Sequence, residues 1–151
     1  MGRSKKSGPS FSHVRASFRR QRIMKLLGAR ISRLDRGLAE ISARNQRGFS
    51  QQDGFVHAGV LTSLADSAGG YAALSLLPVG SRVLSVEFKL NFLKPAIGDM
   101  IRGRGRVRRI GKTIAVCEWE VEMRDHGNWT LCAWGSQTVY CIRPSTTRAN
   151  A

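Results

Sequence analysis

From Ala58 to Leu77 the chain is almost free of charge, and Asp66 is the one charged side chain within it. Apart from Asp66 and a few hydroxyls the stretch is apolar. It also holds glycines and ends at Pro78 and Gly80, so it reads as a buried helix rather than a membrane span. Ala65, Ala68, Gly69, Gly70, Ala72 and Ala73 make much of this helix very small. The Gly69-Gly70 pair costs about 1 kcal/mol per residue relative to alanine. Close approach of another backbone is the natural compensation. A carboxylate on an otherwise apolar helix is costly to bury unless it is paired, which makes Asp66 a candidate functional group.

The segments around this helix define what it packs against. Residues 15–29 set Phe18, Ile23, Met24 and Leu27 among arginines, an amphipathic helical pattern. Ala29–Leu34 and Leu38–Ala43, joined by Asp35-Arg36-Gly37, read as a hairpin, and Asn45–Phe55 reads as a polar loop. Val83–Leu93 alternates cleanly, with Leu84, Val86, Phe88, Leu90 and Phe92 on one face and Ser85, Glu87, Lys89 and Asn91 on the other. Ile101–Ile110, Thr113–Met123 and Trp129–Ile142 follow as further strands, with turns at Gly111-Lys112 and Asp125–Asn128. The expected fold is a single two-layer α+β domain, one helix packed on a meander of long antiparallel strands. The domain is expected over residues 16–143. Residues 1–15 are expected to form a basic disordered segment and residues 144–151 a flexible tail.

The net charge is +15, and residues 1–47 carry 13 of the 25 basic side chains but only 2 of the 10 acidic ones. A polyanionic partner is therefore one expectation: RNA, anionic lipid or a phosphate-rich small molecule. The stripe Arg102, Arg104, Arg106 and Arg108 also invites a nucleic-acid reading. In a hairpin turning at Gly111-Lys112, however, it faces Glu118, Glu120 and Glu122, and cross-strand ion pairs account for most of it. Arg108, Arg109 and Lys112, nearest the turn, are expected to remain free for phosphate. No RNA-stacking arrangement of aromatics, nucleotide loop or zinc spacing occurs, so no metal is expected and nucleic acid is the less favoured of these partners. Cys117, Cys132 and Cys141 lie in apolar runs and are expected as buried free thiols, in keeping with a reducing compartment. The basic N-terminus is not followed by an apolar run, so the expected location is the cytoplasm.

The run His57-Ala58-Gly59-Val60-Leu61-Thr62-Ser63-Leu64-Ala65-Asp66, followed by Gly70-Tyr71-Ala72-Ala73, resembles the helix of the phenylacetate-pathway (PaaI-type) thioesterases. Val86–Ala96 is similar to that family's strand, and Gly111-Lys112-Thr113 to its hairpin turn. The resemblance covers roughly residues 18–142. It implies a hotdog fold, in which a long central helix packs on a curved antiparallel sheet of five to six strands. It also implies a homodimer or dimer of dimers, and hydrolysis of acyl-CoA esters without a metal or a separate cofactor, coenzyme A being part of the substrate. By position, Asp66 matches the catalytic carboxylate, as nucleophile or general base. Gln51, or its neighbour Gln52, matches a positioning amide. Ala58 and Gly59, after His57, match backbone donors to the thioester carbonyl, and Ser85 matches a hydroxyl that orients water. Lys89, Asn91, Lys94, Arg108, Arg109, Lys112 and Thr113 are the candidates for holding the nucleotide phosphates. The rival expectation is a non-catalytic hotdog module whose basic N-terminal region contacts nucleic acid or anionic lipid.

Overall fold

The computed structural model describes residues 10–145. Two short helices, α1 (Ser12–Arg20) and α2 (Arg22–Leu26), lead into the hairpin β1 (Arg30–Asp35) and β2 (Leu38–Arg44). A single 3-10 turn at Arg47–Phe49 precedes the long helix α3 (Ala58–Leu74). The strands β3 (Arg82–Phe92), β4 (Met100–Ile110), β5 (Ile114–Asp125) and β6 (Asn128–Ile142) complete the chain. All six strands join one antiparallel sheet in the order β1-β2-β4-β5-β6-β3, and α3 packs mainly across β4 and β2. This is the hotdog arrangement that the resemblance implies.

The sheet is not a simple meander. β3 does not pair with β4; it crosses to the far edge and pairs with β6, while β4 docks on β2. Local alternation identifies strands but says nothing about which edge receives them. The N-terminal expectation also changes. The chain was expected to lack structure through residue 15, yet α1 begins at Ser12 and Val14 is completely buried. Residues 1–9 and 146–151 lie outside the described residues, and so does most of the expected C-terminal tail. The amphipathic pattern of residues 15–29 breaks at Gln21, whose backbone is extended (φ −76°, ψ 105°). Its side chain turns inward to donate to Ser67 at 3.2 Å.

The core sits between α3 and the sheet, around Leu61, Leu64, Ile101, Trp119, Val121 and Met123, all at most 2% exposed. The alternation of β4 explains how helix and sheet come so close. Its arginines point away from α3, and Gly103 and Gly105 point towards it. A Cβ at Gly103 would lie 3.0 Å from the Leu64 carbonyl carbon, and one at Gly105 would overlap the Ala68 carbonyl. The backbone approach expected at Gly69-Gly70 is therefore supplied from the strand side. Gly69 instead leaves room for two side chains, Gln137 and Trp119, that its own Cβ would overlap. The three cysteines are buried and unpaired, and burial pushes the Cys117 thiol up to about 12.

Cross-strand pairing takes up most of the arginine stripe. Arg102 pairs with Glu122 at 2.7 Å, and Arg104 with Glu120 at 3.0 Å and Glu40 at 3.1 Å. A bulge between Val107 and Arg109 gives Glu118 to Arg108, so Arg108 is not free as expected. Among the described residues no helix is long and apolar enough to cross a membrane.

Adding a methyl group at the helix contact should overpack it. Gly105→Ala is expected to lower stability by about 1–3 kcal/mol in thermal or urea unfolding. Gly48→Ala, whose Cβ meets nothing within 4 Å, should change it little.

Candidate functional site

Three elements bring polar side chains together at Asp66. α3 supplies Asp66 itself, on the helix's sheet side and only partly buried. β3 supplies Ser85, but not as alternation alone predicts. One extra residue in β3, between Ser85 and Glu87, resets the register against β6. Ser85 therefore pairs with Val139 and faces α3, and Leu84 pairs with Tyr140 on the opposite face. Of the five apolar residues expected to share the core face, Leu84 is turned outward. Phe88 and Phe92 keep that face, yet they are 47% and 51% exposed because α3 does not cover this edge.

β6 supplies Gln137, which is fully buried. Its Nε2 donates to Asp66 Oδ1 at 2.6 Å and to Ser85 Oγ at 2.8 Å, and Ser85 Oγ donates to the same Asp66 Oδ1 at 2.5 Å. The other end of the amide, Oε1, accepts from Trp119 Nε1 at 3.0 Å. An indole N–H can only donate, so the amide cannot turn over without facing its NH2 towards a second donor. Trp119 thus fixes which end of Gln137 meets the carboxylate. Asp66 Oδ1 carries two donors, while Oδ2 has no hydrogen-bond partner among the described residues.

Asp66 and Ser85 open onto a cavity of about 640 Å³ between α1, α3 and the start of β3. His13, Ser17, Arg20, Gln21, Tyr71 and Arg82 also line it. Tyr71 sits against Phe18 edge-to-face and donates to Gln21 at 3.3 Å, and burial raises its pKa above the ordinary phenol value. His13, in the segment expected to be disordered, is therefore part of its wall.

The other matched residues gather elsewhere. Gln51, Gln52, His57, Ala58 and Lys94 line a separate cleft of about 550 Å³ at the N-terminal end of α3. His57 is the N-cap: its Nδ1 accepts from the Gly59 N–H at 2.9 Å, and its carbonyl accepts from Val60. Gly59's donor is thus already engaged, and Ala58's N–H has no partner among the described residues. Gln51 is folded onto its own loop, its Oε1 accepting from the Asp53 N–H. The cleft and the cavity share no lining residue. Gly59 and Asp66 lie seven residues apart on one helix, about 10 Å along its axis.

Residues 53–129 match the thioesterase superfamily. The chain belongs to that superfamily. A thioesterase family protein from Silicibacter pomeroyi is 39% identical in sequence and superposes with a TM-score of 0.85, over 87% of this chain and 97% of the other. A Saccharolobus solfataricus protein provisionally named an esterase is 30% identical over 144 residues, 94% of this chain and 93% of its own length. The E. coli PaaI protein from the phenylacetic acid degradation operon shares the fold, at 24% identity and a TM-score of 0.78, over 90% of this chain and 99% of its own.

In this thioesterase-superfamily domain the phosphate candidates are dispersed. Lys94 alone reaches the cleft with His57. Lys89 and Asn91 pair with Ser136 and Trp134, on the face of the sheet away from α3, where Lys89 Nζ donates to Asn91 Oδ1 at 2.5 Å. Arg109, Lys112 and Thr113 lie at the β4–β5 turn and line neither space. Thr113's carbonyl accepts from Cys141 beside Val83, so this turn stands at the Arg82 end of β3.

Gln137 has no signal in the sequence beyond being a lone amide between small and β-branched residues. Replacing Trp119 by Phe removes the donor that orients it. Trp119→Phe is expected to unfold at lower temperature and to lose about tenfold or more in ester turnover, because a buried acceptor is left unpaired and the amide is released. Gln137→Leu should cost at least as much turnover. Measuring melting temperature beside turnover separates the two effects.

Proposed function

We propose that the protein hydrolyses acyl-CoA thioesters to the free acid and coenzyme A, with Asp66 as the catalytic carboxylate. The observation that carries this reading is the one-sided anchoring of Asp66. Ser85 and Gln137 both hold Oδ1, which leaves Oδ2 for the reacting atoms. Oδ2 either takes a proton from the attacking water or attacks the thioester carbon itself, forming a mixed anhydride that water then opens. In both routes the carbon–sulfur bond breaks, a carbon–oxygen bond forms, and a proton ends on the coenzyme's sulfur. The carbonyl oxygen rests at the N-terminus of α3, where Ala58 offers an N–H that has no partner among the described residues and the helix end favours developing negative charge. Gln51 or Gln52 helps position the substrate there.

One chain does not bring these parts together, since about 10 Å separates the helix start from Asp66. We place the working site between two copies. β3 is a sheet edge with Leu84, Val86, Phe88 and Phe92 all exposed, an apolar edge of the kind that proteins cover. A second copy paired along β3 by a two-fold axis sets the two α3 helices side by side in opposite directions. Asp66 of each chain then faces the helix start of the other, and two sites form. Lys94 accompanies that helix start and is the first candidate for the coenzyme's phosphates.

Asp66→Ala is expected to fold and dimerise normally and to lose at least about a hundredfold in thiol release from acyl-CoA, the scale of general-base catalysis. Near-normal turnover would remove Asp66 from the mechanism. A second experiment mixes Asp66→Ala chains with Gly59→Pro chains under subunit exchange, once each is shown to fold. Each variant alone should be inactive, and heterodimers should regain one working site. Failure to regain activity, or an active monomer, overturns the shared site.

A further inference from the structure

The basic side chains fall into two groups with different surroundings. On the sheet, Arg102, Arg104 and Arg108 are each paired with a glutamate. On the two N-terminal helices, Arg15, Arg19, Arg22 and Lys25 are exposed and make no ion pair among the described residues. The first acidic side chain in the sequence is Asp35, beyond both helices. We infer that the outward faces of α1 and α2 form a docking surface for an anionic lipid bilayer. Those four cations are its charged part, and Ile23 and Leu26 are its apolar part.

The faces follow from helix periodicity. In α2, Met24 and the C-cap Leu27 point inward, at 1% and 5% exposed. Arg22 and Leu26, one turn apart, lie on the opposite side, flanked by Ile23 and Lys25. Leu26 is 75% exposed and Ile23 43%. In α1, Val14 is wholly buried and Phe18, one turn on, packs against Tyr71. Arg15 and Arg19, also one turn apart, are left facing out. Only Gln21 separates the helices, and Val14, Met24 and Leu27 all enter one core cluster. The two outward faces therefore adjoin.

The chemistry of this surface matches a bilayer interface. Apolar side chains there enter the acyl boundary while arginine and lysine meet lipid phosphates, and stable attachment takes both signals. A second copy of the chain would bring like charges together. Single-stranded nucleic acid calls for aromatic faces on which bases stack, whereas Phe11 and Phe18 are packed against the core. α2 leads into β1, at the sheet edge opposite β3, so the apolar pair stays clear of the edge proposed for the dimer. The other side of α1 walls the cavity beside Asp66. Docking thus brings that cavity within about one helix diameter, roughly 10 Å, of the lipid surface.

The test is co-sedimentation of the full chain with two kinds of vesicle, phosphatidylcholine alone and phosphatidylcholine mixed with phosphatidylglycerol. The wild-type protein should bind the anionic vesicles at least about tenfold more tightly. Raising salt from about 0.1 M to about 1 M shortens the reach of the charges roughly threefold and should weaken that binding. The triple variant Arg19→Gln, Arg22→Gln, Lys25→Gln should lose the preference for anionic vesicles. Leu26→Ser should bind them several-fold more weakly with an unchanged melting temperature, since the side chain is mostly in water. This variant isolates the helices from the cations that precede them in the sequence. Equal binding of the wild-type protein to both vesicles overturns the inference, whatever the variants do. So does full binding by Leu26→Ser, which would reduce the contact to charge alone. Tighter binding to a single-stranded RNA than to anionic vesicles, unchanged by Leu26→Ser, would assign the cations to nucleic acid and overturn it equally. None of these readouts involves thioester turnover, so the hydrolase reading stands or falls separately.

Discussion

Helix α3 rests on the backbone of β4, with no side chain between them at Gly103 and Gly105, and the rest of the structure is arranged around that contact. A helix held off by ordinary side chains would ride higher above the sheet. Asp66 would then lose its reach to Gln137 and Ser85, whose strands lie on the far side of β5. The same contact explains the alternation of β4. Its inner positions give up side chains to admit the helix, and its outer positions carry arginines that clamp β2 and β5 through Glu40, Glu120 and Glu122. The strand is thin on one face and heavily charged on the other, and each face serves a different neighbour.

The polar cluster at Asp66 is a short relay of fixed hydrogen bonds anchored in the core. Trp119 sets Gln137, Gln137 and Ser85 set one oxygen of Asp66, and the other oxygen is left without a partner among the described residues. Each link uses a donor with little alternative. Gly69 takes part through what it lacks, since a methyl group there would occupy the place of the Gln137–Trp119 pair. The cost of two adjacent glycines in a helix is thereby offset on one side by a buried amide and not by a passing backbone.

Much of this was legible in the sequence. The long helix, Asp66 within it, the β1–β2 hairpin and the facing of arginines by glutamates follow from periodicity and turn chemistry, but the ladder's register is set by the bulge between Val107 and Arg109. Features that depend on one residue's displacement were not legible. The bulge in β3 turns Ser85 to the helix side, and a period-two reading places it on the other. The bulge in β4 hands Glu118 to Arg108, which alternation leaves free. Gln137 was hidden because a single amide in a strand resembles any solvent-facing position until its neighbours are known. α1 was masked by the basic polar residues around it, though Val14 is as buried as any residue in the core. The edge position of β3 is a matter of long-range pairing, which local pattern does not encode.

Trp119 is wholly enclosed, and its indole N–H is one hydrogen bond away from the amide that holds Asp66. Indole emission depends on the polarity and hydrogen bonding around the ring. Trp129 lies beneath the Arg102 guanidinium at 3.8 Å and Trp134 donates to Glu118, both on the other side of the sheet. The fluorophore in contact with the carboxylate's support is thus the one shielded from solvent, and the other two face a different environment. Whatever enters the cavity and perturbs Asp66 is transmitted through two hydrogen bonds to a chromophore that water does not reach. The fold thereby contains its own optical readout of site occupancy, independent of any chemistry carried out there.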